Sequence, residues 1–281
     1  MHHFVNDASK LMELLDDSFN YFKNVKNLVE LNADKIYVVG DIHGDIFSYD
    51  RVKKLFDKLR SGQYIVFLGD YVDRGGYSVE IIVDLLCRVV RDGDERIVLL
   101  RGNHETFPVN HYYGFYDEVL KKYGADGDVV YKKFNEIFSQ LSISAIINQE
   151  NILLHGGIAR GLRSINEISN IPKGQIEITD PILLQILWND PSEDVEEWGY
   201  SPRGEGIFLF GKKPFIEFMD NNGLKYMIRA HLFFINGFKF YFDGRLLSLF
   251  STLNYVGYKV SGKVLEFKKD EMRLIEIGDI S

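Results

Sequence analysis

Val38-Val39-Gly40-Asp41-Ile42-His43-Gly44-Asp45 carries an apolar run straight into two carboxylates and an imidazole set among glycines. The run begins at Lys35 and is short and β-branched, as a buried strand is; the glycines mark where the chain turns out of it. Alone, such a stretch describes a surface turn. The arrangement recurs. Tyr64 to Leu68 leads into Gly69-Asp70-Tyr71-Val72-Asp73-Arg74-Gly75, and Ile97 to Leu100 into Arg101-Gly102-Asn103-His104-Glu105. Ile152 to Leu154 ends at His155-Gly156-Gly157, and Tyr226 to Ile228 at Arg229-Ala230-His231.

Helical spacing separates the first of these runs, at Phe47 to Leu59 and Ser78 to Val90, which is the alternation of βαβ units. Upstream, apolar residues from Leu11 to Val29 predict an N-terminal helix, and Phe115 to about Gln140 reads as mainly helical. Ser142 to Ile147 and Asn151 to His155 read as strands. From Tyr226 onward short strands follow one another, at Phe238 to Phe242, Leu246 to Phe250, Gly262 to Phe267 and Met272 to Ile277. A βαβ half joined to a strand-rich half predicts an α/β fold: two mixed β-sheets packed face to face as a central sandwich flanked by helices. No repeat or Pro/Ser-rich linker divides the chain. A single catalytic domain over 1–281 is expected, with 1–34 as an N-terminal helical cap and 35–270 as the catalytic core.

The chain has 281 residues, 46% of them hydrophobic, enough for a sizeable core. Its net charge is −8 with Lys and Arg scattered, which argues against nucleic acid as a partner. No apolar run approaches the roughly 18 residues of a membrane span, and no signal-peptide pattern opens the chain, so a cytoplasmic protein without membrane contact is expected. The single cysteine, Cys87, lies among apolar residues at helical spacing and reads as a core thiol. Glu193 to Glu197 reads as a solvated acidic face. His111 reads as a loop residue, Trp188 and Trp198 as packing residues.

Four of the seven histidines stand at the strand ends, together with Asp41, Asp70 and Asn103. Brought into one crevice, these groups would leave carboxylates unpaired at several kcal/mol each unless a cation compensates them. Imidazole with carboxylate and no thiolate suits manganese, iron, zinc, nickel or cobalt better than a closed zinc site or a calcium cage. Even six of these donors exceed what one tetrahedral ion takes. Two divalent metal ions per chain sharing a carboxylate are expected, and a phosphate dianion would be drawn to them.

GDIHG at Gly40 to Gly44, GDYVDRG at Gly69 to Gly75 and RGNHE at Arg101 to Glu105, followed by HGG, LWNDP, RAH and FSTLNY, resemble the PPP-type serine/threonine protein phosphatases within the calcineurin-like metallophosphoesterases. YGFYDEVLKKYG, Tyr113 to Gly124, resembles their eukaryote-type text. The resemblance implies that Asp41 and His43 bind a first metal, that Asp70 bridges, and that Asn103, His155 and His231 complete the second. It implies manganese, with iron or zinc as alternatives, and direct attack on phosphorus by a metal-bridging hydroxide. His104 would be the general acid, oriented by Asp73; Arg74, Asn103 and Arg203 would bind phosphate, with Tyr255 lining the site. Phosphoprotein substrates and a regulatory protein are the implied partners. Departures from the family pattern, Leu232 after His231, Ile158-Ala159-Arg160 after HGG, and Ser251-Thr252-Leu253-Asn254-Tyr255, bear on substrate preference. The competing readings are a dinucleoside polyphosphate hydrolase and an inactive phosphoprotein-binding module.

Overall fold

The computed structural model describes residues 2–5, 7–269 and 271–281. Met1, Asn6 and Asp270, at the margins of the expected 1–34 and 35–270 segments, lie outside the described residues, as do the side chains of His2 and His3.

Among the described residues, strands β2 (Lys35–Val39), β3 (Gln63–Phe67), β4 (Ile97–Leu99), β15 (Lys263–Lys268) and β16 (Glu271–Glu276) form one sheet in the order β16-β15-β2-β3-β4. Strands β2, β3 and β4 run parallel, while β15 is antiparallel to both β2 and β16. A second sheet has the order β1-β5-β6-β10-β12-β11, built from Leu28–Leu31, Ser144–Ile147, Asn151–Leu154, Tyr226–Arg229, Leu246–Leu249 and Phe238–Tyr241. Here β6, β10 and β12 are mutually parallel. A small sheet, β7-β9-β8 (Asp190–Pro191, Phe208–Phe210, Trp198–Tyr200), and a hairpin, β13 (Asn254–Tyr255) with β14 (Tyr258–Lys259), lie outside the sandwich.

The period-two alternation of strand side chains sorts the core into three layers. Ile36, Val38, Val66, Ala145, Ile147, Leu153, Ile228, Leu247 and Leu265 fill the space between the sheets. Their neighbours Tyr37, Val39, Ile65 and Phe67 face the other way, onto the helices Ala8–Asn24, Ile46–Val52, Ser78–Leu86 and Gly127–Phe138. On the opposite side Ile146, Ile152, Leu154 and Met227 pack under Pro181–Trp188 and Lys212–Asn221. This is the expected layering of helices outside two sheets.

Two local expectations change. Helical spacing in the sequence runs to Val29, but the N-terminal helix stops at Asn24, and Leu28–Leu31 is strand β1, paired in parallel with β5. Four half-buried residues are too few to declare a period against the preceding helix, so the strand is fixed by its partner. The helices Pro181–Trp188 and Lys212–Asn221 and the β7-β9-β8 sheet fall in a stretch without a predicted element. Asp180 accepts the Ile182 and Leu183 amides, and Pro181 follows at the first helical position, a start signal that was legible. No helix among the described residues is long and apolar enough to cross a membrane.

Candidate active site

Parallel pairing brings the carboxyl ends of β2, β3 and β4 side by side in one sheet and those of β6 and β10 in the other. Bridges between Asp41 and Phe250 and between Leu100 and Ser142 join the two sheets at this end. The five polar clusters therefore meet along one edge of the sandwich. Gly40 permits that closeness: a side chain there would place a Cβ 2.4 Å from the Leu249 carbonyl oxygen.

The backbone at the cluster is unusual. His43 (φ 48°), Asp70 (φ 54°), Asp73 (φ 73°), Arg74 (φ 67°) and His231 (φ 69°) all adopt the left-handed region that side-chain-bearing residues avoid. Such geometry costs of order 1–3 kcal/mol per residue and persists where surrounding contacts impose it, characteristically at functional sites. Those contacts are present. The Ile42 and His43 amides donate to the Asp70 carbonyl, and Glu105 accepts the amides of Asp70, Tyr71 and Gly102 at 2.7–2.9 Å.

Asp70 stands at the centre. Its Oδ2 lies 3.4 Å from His43 Nε2 and 4.0 Å from His104 Nε2, while its Oδ1 lies 3.4 Å from His155 Nε2. Asp41 Oδ2 is 3.7 Å from His43 Nε2, and Asn103 Oδ1 is 2.8 Å from both His155 Nε2 and His231 Nδ1. The two histidine nitrogens are 3.2 Å apart. His43 and His155 each direct Nδ1 to a backbone carbonyl, Val72 and Leu68, at 2.9 Å, which puts the Nδ1 proton there and leaves Nε2 as a lone-pair donor facing the cluster.

Burial governs the charges. It pushes Asp41 up to about 7 and Asp70 well above the ordinary carboxylate range, with Asp41 and Glu105 repelling Asp70 further. It pushes His43 down to about 3, and His155 and His231 well below the imidazole range. Imidazoles held neutral keep a lone pair for a cation, and buried carboxyls that ionise at high cost alone are favoured as carboxylates by one. Two groups of three donor atoms lie within 4.8 Å of one another, His43, Asp70 and His104 in one and Asp70, His155 and His231 in the other, with Asp70 common to both. The donor set fits a pair of divalent cations sharing the Asp70 carboxylate.

Above the cluster opens a cavity of about 170 Å³ lined by Asp41, His43, Asp70, Asn103, His104 and His231. Arg74, Arg203 and Tyr255 complete its polar wall. His155 is fully buried beneath it. Asp73 also lies beneath the surface, its Oδ2 2.5 Å from His104 Nδ1. The guanidinium of Arg74 lies over the Tyr113 ring, 4.1 Å from its centre. Arg203 donates from Nε to Asp190 at 2.7 Å, so its orientation is fixed by a residue of the LWNDP segment. Every sequence-predicted site residue thus belongs to this one edge.

Other residues at the site have no individual role assigned by the sequence. Trp188 does pack, but its ring meets His231 edge-on at 5.6 Å and forms part of the cavity wall. Phe233 stacks on Tyr255 at 5.3 Å, and Tyr113 meets His104 at 5.5 Å. Asp190 holds both Arg203 and the buried Arg229. Trp198 packs against Phe208 and Phe210, His111 stacks on Tyr116, and Cys87 is buried, all as expected.

Comparison with known proteins agrees with this geometry. The profile of the calcineurin-like phosphoesterase family matches residues 34–232. The chain is 42% identical over 235 residues to the serine/threonine-protein phosphatase 4 catalytic subunit of Saccharomyces cerevisiae, covering 83% of this chain and 73% of that protein. It is 36% identical over 265 residues to the serine/threonine-protein phosphatase 6 catalytic subunit of Caenorhabditis elegans, covering 94% and 77%. A solved protein serine/threonine phosphatase from Saccharomyces cerevisiae, similar to human phosphatase PP5, superposes with a TM-score of 0.81 at 30% identity, covering 92% of this chain and 81% of that one. The strand-end donor cluster, sandwich topology and sequence relatives converge: the chain belongs to the serine/threonine protein phosphatases of the calcineurin-like phosphoesterase family.

Proposed function

We propose that this chain is a metal-dependent phosphoprotein phosphatase that hydrolyses phosphoserine and phosphothreonine, the whole chain acting as a single catalytic domain. The observation that carries the reading is the pairing, across one cavity, of a cation-demanding donor cluster with the guanidinium groups of Arg74 and Arg203. Asp41, His43 and Asp70 would hold one divalent ion; Asp70, Asn103, His155 and His231 would hold a second. Manganese suits these donors, with iron and zinc as alternatives. When bound, the ions supply charge neutralisation and an activated water near neutral pH.

The protein's own groups do the rest. Arg74 and Arg203, with Asn103, bind the phosphate oxygens and hold the phosphorus in line with the leaving group. Arg74 is held by its Tyr113 platform and Arg203 by Asp190. His104 presents Nε2 toward the cluster and Nδ1 to Asp73. Burial pushes this imidazole down to about 3, and Arg74 and Arg203 add to the effect. An entering phosphate dianion opposes that shift, and the imidazolium formed by proton uptake from solvent donates from Nε2 to the serine or threonine oxygen as the ester bond breaks. Tyr255 lines the site near the substrate.

The relatives are named catalytic subunits, which supports a regulatory protein partner alongside phosphoprotein substrates, and a cytoplasmic place of work is the natural one for such substrates. The test compares a phosphothreonine peptide with diadenosine tetraphosphate as substrates of the manganese-loaded protein. Higher kcat/KM on the peptide is expected. Preference for the dinucleotide would make the protein a dinucleoside polyphosphate hydrolase, and silence on both a binding module.

A further inference from the structure

Asp45 closes the stretch in which Asp41 and His43 stand, yet its carboxylate points away from the donor cluster. One oxygen accepts the Phe47 amide at 3.1 Å and caps the helix Ile46–Val52. The other takes the Ser48 hydroxyl at 2.6 Å and reaches across to the loop after β12. There it accepts the Leu253 and Asn254 amides, each at 3.1 Å, with Thr252 Oγ1 at 3.0 Å. Ser48 Oγ accepts the Leu253 amide as well, at 2.7 Å. Asp45 is 7% exposed, so water competes little for these bonds.

The next residue along that loop is Tyr255, which lines the cavity with its ring 5.4 Å from His43 and 5.3 Å from Phe233. Beyond it the chain reverses through Val256 (φ 46°) and Gly257 (φ 85°), so the aromatic wall hangs on a tight hairpin whose near strand starts at Asn254. One carboxylate thus ties the start of the helix behind His43 to the root of that hairpin. An amide could not do so: with one acceptor oxygen and an NH2 donor, it would surrender either the helix cap or the loop contacts.

We propose that Asp45 is a positioning residue for substrate binding, setting the Tyr255 wall at its distance from the donor cluster; the kinetic part of this inference rests on the phosphatase reading above. Charge-assisted bonds from a buried carboxylate make the loop stiff, and a stiff wall discriminates among substrates better than a mobile one.

The test combines amide hydrogen exchange with steady-state kinetics on the manganese-loaded Asp45→Asn variant, using Tyr255→Ala as reference. Exchange at Leu253 and Asn254 should rise by about tenfold or more while that of the sheets stays the same. KM for a phosphothreonine peptide should rise about fivefold with kcat within about twofold. Adding Asp45→Asn to Tyr255→Ala should change KM no further, because both act through one wall. Unchanged exchange, additive effects in the double variant, or a fall in kcat accompanied by lost manganese would overturn the proposal. If Asp45→Asn does not fold, Thr252→Val, which removes one loop contact and leaves the cap, is measured in the same way. If the wild type proves silent on the peptide, the phosphatase reading fails, while the exchange data still decide whether Asp45 holds the loop.

Discussion

His104 Nδ1 lies 2.5 Å from Asp73 Oδ2, and the other oxygen of that carboxylate accepts the Phe115 amide at 3.0 Å. The imidazole is therefore oriented through the start of the helix Phe115–Tyr123, and its free nitrogen faces the cavity. His104→Asn removes the proton carrier. Its kcat on a phosphothreonine peptide should fall by about 10²–10⁴, with manganese content, measured by atomic absorption, unchanged. Near-normal turnover in that variant would remove His104 as the acid.

Asp190 serves two arginines that differ in burial. Arg229 is fully buried and donates to Asp190 at 2.7 Å and to the Gly156 and Asn189 carbonyls, whereas the Arg203 side chain is 31% exposed. Asp190→Ala leaves the Arg229 charge uncompensated and should cost about 3–5 kcal/mol of stability. Arg203→Ala should leave thermal stability nearly unchanged and raise KM. Paired melting and kinetic measurements separate the two; equal melting temperatures for wild type and Asp190→Ala would refute the shared-anchor account.

The gain from manganese should depend on pH. Asp41 is raised to about 7 by burial, so in the ion-free fold its contribution is complete below the ordinary value of 3.8 and is lost as pH rises through about 7. Bound cation takes the place of that proton. The rise in melting temperature on adding manganese should be larger at about pH 8 than at about pH 5.5. A gain independent of pH across that range would contradict it.

Cys87 should behave as an inert core thiol. Burial pushes it up to about 11, with Asp84 and Asp92 acting in the same direction, so little thiolate exists at neutral pH. Alkylation of the native protein should keep accelerating with pH beyond the point near 8.5 at which an ordinary thiol levels off. Modification that levels off near that point and abolishes turnover would argue for a functional cysteine.

The sequence displays some of these features and conceals others for physical reasons. Asp41, Asp70, Asn103, His155 and His231 were legible because each directly follows its own apolar run, and the carboxyl ends of strands are where loops are both free and rigidly mounted. Arg203 carried no local signal; the LWNDP segment before it pointed to it, and Asp190 of that segment is the residue that holds it. Trp188 reads as a packing residue and Phe233 drew no reading, since nothing in an apolar side chain reveals that one face meets an imidazole or a tyrosine at the cavity. Asp45 was unassignable because its partners, Thr252 to Asn254, lie near the far end of the chain and meet it only when β12 and β2 come together. Strand β1 was hidden by the helical spacing that runs into it.

Turnover should depend on the cations that the strand-end cluster would hold. The most direct test is the rate of phosphothreonine-peptide hydrolysis by metal-stripped protein titrated with manganese. Metal dependence predicts no turnover without the ion, activity that saturates at two ions per chain, and loss of that activity on chelation. Full turnover by the metal-free protein would contradict it.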